Sequence, residues 1–457
     1  MKYMSHLIFA ASLGFAGLAS AQSDSALKAT QEKLTLLKGE VNGLTESYLE
    51  TKGTVDKLAK IKVSGYIQGQ WQHADSSGVG GFAGGGFPST SNQRLQLRRV
   101  RLKTIYDNVT SQYVMEFEAR PSGVGLKDAE IILNEPWLKT FSLAMGLMDR
   151  PFGFEIPYSS SAHEAPERTR VYQTVFKDEK DLGVKLEANP GENMGLAQYF
   201  NFKGGLYTGT SGYNGNTTAT AGTGDEIDST LDIIGRVGFK LPFNDLNLAV
   251  DGGVSYYGGK VLAANDSLYQ MNGTKLVDST TSPFKKHKNQ TFDRNVIGVD
   301  LQTYYTIPVI GDFVGGTSLR GEYLTGKTIG TLSGSMPYGT AKDALAERNF
   351  MGWYLSWIQN YGTKFQSVVK YDVYDPNTDV EGKNIGLAAN GKLGAGDVKF
   401  TTLGLGVLYY WDDIVRLTAY YDMITNETVN SAATGSLLPY TKDLKDNVFT
   451  LRAQVKF

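Results

Sequence analysis

The sequence contains no cysteine. That excludes a disulfide framework and any thiolate metal centre. Histidine is nearly as scarce: His6, His73, His163 and His287 are the full set, and no two stand at the i, i+4 spacing of a helical metal site. An excess of one charge is missing too, since 45 basic residues face 47 acidic ones for a formal net charge of −2. A polybasic nucleic-acid surface is thereby excluded, and any charge selectivity has to be local. Beyond residue 18 there is no long apolar run, and mean hydropathy is −0.25. A membrane helix needs about 20 consecutive apolar residues, so a membrane role would have to be built from strands.

What is present begins with a segment unlike the rest. Lys2 supplies a positive charge, Leu7 to Leu18 an apolar stretch, and Ala19-Ser20-Ala21 a small-residue cleavage signal before Gln22. Residues 1–21 read as a secretory signal peptide. Residues 22–60 then read as a helix. Leu27, Thr30, Leu34, Leu37, Val41, Leu44, Tyr48, Thr51, Val55 and Leu58 recur at spacings of 3 and 4, flanked by Lys28, Glu32, Lys33, Lys38 and Glu40. A stripe sustained this long predicts a coiled coil. Gly39, Gly43 and Gly53 each weaken a helix by about 1 kcal/mol relative to Ala, so the seam is expected to need several chains bundled together. One amphipathic helix packed on the body is the alternative.

From Ile61 the period changes to two. Ile61, Val63, Gly65 and Ile67 alternate with Lys62, Ser64, Tyr66 and Gln68; Tyr113, Met115 and Phe117 alternate with Val114, Glu116 and Glu118; Phe449, Leu451, Ala453 and Val455 share one face at the end. Apolar outward and polar inward, with about ten residues per run, is the pattern of a transmembrane barrel. Sixteen strands are predicted, at 61–73, 93–107, 110–120, 124–134, 140–148, 181–189, 195–207, 228–241, 245–258, 293–307, 313–326, 348–358, 362–374, 397–411, 413–424 and 446–456. Long polar links at 74–92, 149–180, 208–227, 259–292, 327–347, 375–396 and 425–445 alternate with short ones, and 121–123 alone breaks the rule. Short periplasmic turns and longer extracellular loops account for that alternation. An even strand number leaves both termini, and with them the helix of residues 22–60, on the periplasmic side. The predicted fold class is an all-β membrane protein, a 16-stranded antiparallel transmembrane β-barrel over 61–457 with an N-terminal α-helical coiled-coil segment. Sixteen strands leave an aqueous lumen.

The strongest basic run is Arg94, Arg98, Arg99, Arg101 and Lys103, with no acid before Asp107. Leu95 and Leu97 require one strand parity, Val100 and Leu102 the other, so the phase slips at Arg98-Arg99. A bulge there would turn most of these groups inward, where cations lining a narrow pore attract anions. Arg120, Arg150, Arg168, Arg170 and Arg236, with Arg320 and Lys370, are further candidates. Equally open is a reading in which these cations neutralise Glu116, Glu118, Asp128 and Glu130 across the lumen. Tyr66, Trp71, Tyr113, Trp137, Tyr199, Tyr304, Tyr305, Trp353, Trp357, Tyr409, Tyr410 and Trp411 fall near strand ends and suggest aromatic girdles. Gly321 to Thr328 fits G-x-x-x-x-G-K-[ST], but no helical period follows it, and a phosphate cradle needs that helix. Ser159 to Ser161 beside His163 and Glu164 do not make a triad, which is a spatial arrangement. No enzyme activity, metal or cofactor is expected.

Gly146 to Glu155 (GLMDRPFGFE), followed by Glu167-Arg168 and Asp181-Leu182-Gly183-Val184, resembles the motif after the fifth strand of the phosphate-selective porin O/P family. Arg98 to Leu102, Gly235 to Phe239, Gly298 to Asp300, Arg320 to Tyr323, Lys370 to Asp372, Tyr374 to Asn377 and the terminal Arg452 to Phe457 match in order, over roughly residue 61 to the end. The resemblance implies a homotrimer of sixteen-stranded barrels in the outer membrane of a Gram-negative-type bacterium, bordered by lipid and lipopolysaccharide. It also implies that the third long loop, here 149–180, folds into the pore and constricts it. Passive diffusion of small hydrophilic solutes is then expected, with anions such as phosphate first. The inserted loop mixes Arg150, Arg168, Arg170 and Lys177 with Glu155, Glu164 and Glu167, which keeps neutral solutes, oligosaccharides and cations as alternatives. Two further readings stand apart: a structural barrel tethered to the cell wall through residues 22–60, and an outer-membrane hydrolase.

Overall fold

The computed structural model describes residues 24–121, 123–177, 179–209, 230–280, 286–310, 313–336, 340–341 and 343–457. The signal peptide read in residues 1–21 lies outside the described residues. The chain divides into two compact units, Met1–Ile61 and Lys62–Phe457. In the first, a single helix α1 (Asp24–Leu58) runs for 35 residues. Its seam residues Leu34, Leu37, Val41, Leu44, Tyr48, Val55 and Leu58 are all exposed. A helix gains most of its stability by burying such a face, and here the face stands open.

The second unit is a closed barrel of sixteen strands: β1 (Ile61–Ala74), β2 (Gln93–Asn108), β3 (Ser111–Arg120), β4 (Gly123–Asn134), β5 (Phe141–Asp149), β6 (Lys180–Ala188), β7 (Phe200–Tyr207), β8 (Asp232–Phe243), β9 (Leu248–Ala263), β10 (Thr291–Ile310), β11 (Phe313–Thr331), β12 (Leu345–Tyr361), β13 (Phe365–Asp375), β14 (Phe400–Tyr410), β15 (Val415–Asn426) and β16 (Val448–Lys456). β1 pairs with both β2 and β16, and the antiparallel register from Tyr66↔Lys456 to Ala74↔Val448 closes the sheet. Closure leaves no barrel edge with unpaired backbone groups, a requirement in hydrocarbon. Each predicted strand has its counterpart, with shifts at the ends. β9 runs to Ala263 and β11 to Thr331 because their upper residues go on pairing with β10 and β12, and Val261, Ala263 and Ile329 are buried there. The predicted start of the seventh strand is instead a 3-10 turn, Gly195–Tyr199. The Gly321 to Thr328 motif is continuous strand, paired on both sides within β11.

Alternation sorts the side chains. Tyr113, Met115 and Phe117 on β3, Leu182, Val184 and Leu186 on β6, and Ile297, Val299 and Leu301 on β10 are exposed outward, whereas Gln68, Gln70 and Gln72 on β1, Glu116 and Glu118 on β3 and Asp300 on β10 are buried inward. An outer surface so apolar belongs in hydrocarbon rather than water. Three of the aromatics expected at the girdles point inward by the same parity; Tyr410 packs beside the buried Leu408 and Tyr420. Tyr66 is buried with its ring beside Arg101, and Tyr304 lies beside Arg320. The long connections build a layer of their own over one mouth. A hairpin of Leu268–Asn272 with Lys275–Asp278 packs Leu276 against Ala346 at the start of β12 and against Val380, Ile385, Leu393 and Val429 from other loops.

Candidate functional site in the barrel lumen

The connection between β5 and β6 crosses the interior. Phe152, Ile156, Val171, Tyr172 and Phe176 pack against inward residues Tyr207, Ile234, Tyr257, Val296, Leu324 and Phe350 of the wall. Removing that much apolar surface from water holds the segment inside the barrel. Polar anchors set its position. Glu322 of β11 accepts the backbone N–H of Phe154 at 3.1 Å and of Glu155 at 2.7 Å, and the hydroxyls of Tyr354 at 2.7 Å and of Tyr172. Gly153 makes this approach with φ +62°, and a Cβ there would lie 2.5 Å from the Glu322 carboxylate, so the position takes glycine. On the opposite side Lys370 donates to the Glu167 carbonyl at 3.1 Å, Arg416 to the His163 carbonyl at 2.9 Å and Arg452 to the Pro166 carbonyl at 2.7 Å. The segment carries a short helix, α2 (Arg170–Val175).

The phase slip in β2 shapes the chemistry. Leu95 and Leu97 are exposed and Arg94 and Arg98 turn inward, yet one step later Arg99 and Arg101 are buried and Leu102 is exposed. Both neighbours, Arg98 and Arg99, therefore reach the same carboxylate. Glu167 of the inserted segment accepts from Arg98 Nε at 2.7 Å, from Arg99 Nη2 at 2.7 Å and from Arg452 Nη2 at 2.9 Å. Burial alone would raise the Glu167 carboxyl, but these three guanidinium groups hold it well below the usual carboxylate range. Arg101 pairs with Glu118 at 2.6 Å and Glu116 at 3.3 Å, and Arg120 with Glu118. Lys103 lies 3.6 Å from Asp128 and 3.8 Å from Glu116.

The other predicted cations are spread more widely. Arg94 donates to Gln72 at 2.8 Å and the Gly86 carbonyl at 2.8 Å, over the Phe87 ring. Arg150 is fully buried against Asp181 at 3.2 Å, and Arg236 forms a bidentate pair with Asp300 at 2.6 and 3.0 Å. Both are ties within the wall. Arg168 pairs with Glu179 and donates to the carbonyls of Glu155, Ile156 and Tyr158 at 2.9 to 3.1 Å. Arg170 packs between the rings of Phe82 and Phe400.

Arg98, Arg99, Arg101, Arg120 and Arg168 come together around a cavity of about 200 Å³, joined by Lys127 and Lys177; Glu167 and Glu179 are the carboxylates among its lining residues. Seven cations and two carboxylates line this cavity, and Glu116 and Glu118, which are outside its lining, pair with Arg101 and Arg120. Sequence parity missed Lys127, because the ladder shifts register between Glu116/Phe117 and lets Lys127 and Asp128 both serve the lumen. Arg452 was legible: it alternates with the outward Leu451 and Ala453.

Catalytic arrangements do not form around the histidine of this segment. His163 Nε2 meets the Tyr158 carbonyl at 2.9 Å, while the Ser159 and Ser161 hydroxyls bond each other at 3.0 Å. Burial, helped by Arg168 and Arg99, pushes the His163 imidazole well below its ordinary pKa. Elsewhere Ser279 lies 3.3 Å from His287 Nε2, but its hydroxyl donates to the Leu268 carbonyl and the second ring nitrogen meets the neutral amide of Gln290. That serine has no activating base and acid in line.

No protein-family model matches the chain, and no curated protein does. Its fold has counterparts among solved structures. OprB of Pseudomonas putida, in a high-pH structure, superposes with a TM-score of 0.53 at 11% identity, over 89% of this chain and 96% of that one. The outer membrane channel DcaP of Acinetobacter baumannii superposes with a TM-score of 0.50 at 12% identity, over 87% of this chain and 97% of that one. At such identity the likeness concerns the barrel fold alone.

Proposed function

We propose that this chain is an outer-membrane diffusion porin that passes small hydrophilic solutes and favours anions such as phosphate. The apolar outer wall and polar lumen support the membrane barrel, and the two superposed structures, one of them described as an outer membrane channel, fit the same reading. The observation that carries the selectivity is the basic constriction, where seven cations face two carboxylates beside the inserted segment. Anions entering there meet several N–H donors in a small volume, where cations would meet repulsion. The open apolar stripe of α1 supports a homotrimer whose seams close on one another. The resemblance to the phosphate-selective porin O/P family points the same way.

A second reading, general diffusion with weak selectivity, is favoured by one observation: Arg98, Arg99, Arg101 and Arg168 each already touch a carboxylate. The zero-current potential across a planar bilayer under a KCl gradient separates the two. An anion-sided potential, with current reduced by millimolar phosphate, supports the first. A potential near zero supports the second, and a cation-sided one overturns both. Replacing Arg98, Arg99 and Arg101 together with Ala should move the potential toward the cation side; an unchanged potential would remove their lumenal role.

A further inference from the structure

A second cavity lies among the long connections, and its chemistry differs from that of the constriction. Its volume is about 480 Å³, and Arg170 and Phe82 line it together with Phe400, Asp446 and Lys445. Arg170 is buried, and its guanidinium is stacked between Phe400 at 3.8 Å and Phe82 at 4.1 Å from the ring centroids. Stacking uses the two faces of the guanidinium plane. The in-plane edge is different: among the described residues no carboxylate lies within ion-pair distance of it, although Asp372 and Asp446 act on it from farther off, and its Nε has no hydrogen-bond partner. A guanidinium carries five N–H donors in a fixed fork, and leaving a buried one such as this Nε unmet costs free energy. The remaining wall mixes apolar Val79, Val398, Ile424 and Leu444 with the polar side chains of Ser76, Ser77, Thr174 and Ser333, and the size is that of a small-molecule site.

We propose that this cavity captures a small carboxylate with a flat apolar body, of the class of benzoate, upstream of and separate from the constriction. The carboxylate takes the Arg170 fork in bidentate fashion, and the ring lies along the aromatic and aliphatic wall. A phosphate dianion fits less well. It would bring a second charge beside Arg170, where the single lining carboxylate Asp446 already offsets Lys445, and it has no flat apolar body to lie along Phe82, Phe400 and Ile424. The inference goes beyond the channel reading and does not require it.

The test is isothermal titration of the detergent-solubilised full chain with benzoate, benzyl alcohol and inorganic phosphate. Benzoate should bind saturably, benzyl alcohol at least tenfold more weakly, and phosphate should fail to displace benzoate at equal concentration. Arg170→Lys keeps the charge but loses the fork, and should weaken benzoate binding about tenfold. Ser77→Trp, at an exposed loop position on the rim, fills the mouth without touching Arg170 and should also abolish binding; it decides the matter if Arg170→Lys does not fold. Equal binding of benzyl alcohol, displacement by phosphate, absence of benzoate binding, or benzoate binding untouched by Ser77→Trp would each overturn the proposal. Conductance of the unmodified protein in KCl tests the channel reading by itself.

Discussion

Arg168 and Arg170 stand two residues apart on the inserted segment and have opposite surroundings. Arg168 meets the Glu179 carboxylate and three backbone carbonyls. Arg170 meets two aromatic rings, and its Nε meets no acceptor. Charge, burial and residue type are the same; the acceptors in reach are not. An arginine whose fork is filled by its own chain is a structural tie, whereas one whose fork is open has donors to offer a solute. The basic cavity at β2 holds an intermediate case. Arg98, Arg99 and Arg452 share one carboxylate, so three forks are partly filled and a cationic excess remains.

The largest expected effect comes from removing that shared acceptor. Glu167→Gln leaves the buried Arg99 and Arg452 and the half-buried Arg98 without their carboxylate, and unpairing a buried charge costs about 3–5 kcal/mol. The urea midpoint of the detergent-solubilised protein should fall accordingly, while the zero-current potential moves further to the anion side. A stability loss without a change in potential would mean that Glu167 shapes the segment but not the field. The same group sets a pH dependence. Its folded-state pKa is depressed, so its contribution is complete above the unfolded value of about 4.3 and is lost as pH falls through the folded one. The inserted segment should therefore stay locked at pH 5 and loosen below about pH 4, read by protease cleavage within 150–179.

Next in size is the direct comparison. Arg168→Lys keeps the cation but cannot serve three carbonyls and a carboxylate at once, and should cost about 1.5–3 kcal/mol. Arg170→Lys loses stacking worth about 0.5–2 kcal/mol, part of which an ammonium over a ring recovers. A urea midpoint that drops more for Arg168→Lys than for Arg170→Lys upholds the division into tie and open fork. The reverse order would mean that Arg170 is the structural anchor.

Much of the barrel was legible because a two-residue period and alternating link lengths are local properties of the chain. The sixteen strands, the phase slip at Arg98-Arg99 and the inward place of Arg452 follow from parity alone. Lys127 did not, since it depends on a register shift against β3. Nor did the inward turn of Tyr66, Tyr304 and Tyr410 emerge when aromatics were assigned to girdles by nearness to strand ends rather than by parity. The roles of Arg150, Arg168, Arg170 and Arg236 were illegible for a different reason. Each is decided by partners brought in by folding: Asp181, Glu179, Phe400 and Asp300. Residue type marks these arginines as candidates, and tertiary contact decides which keep free donors.

The smallest effect concerns the carboxylate of the Arg170 cavity. Asp446, in the connection between β15 and β16, is pushed up to about 6, chiefly by burial; Arg170 opposes the shift and Asp443 and Asp75 reinforce it. An acid with a raised folded-state pKa favours folding most below its unfolded value of about 3.9, and that gain is lost as pH rises through 6. The binding consequence has the same direction. Between pH 7.5 and 5 Asp446 takes up a proton, the cavity loses a negative charge, and Arg170 and Lys445 act on an incoming anion without opposition from it. Benzoate should then bind a few-fold more tightly at pH 5 than at pH 7.5 in the unmodified protein. In Asp446→Asn the affinity should already be high at pH 7.5 and flat between the two. His163 is not among the residues that line this cavity. A pH dependence that survives Asp446→Asn would therefore assign the titration to a group outside this cavity.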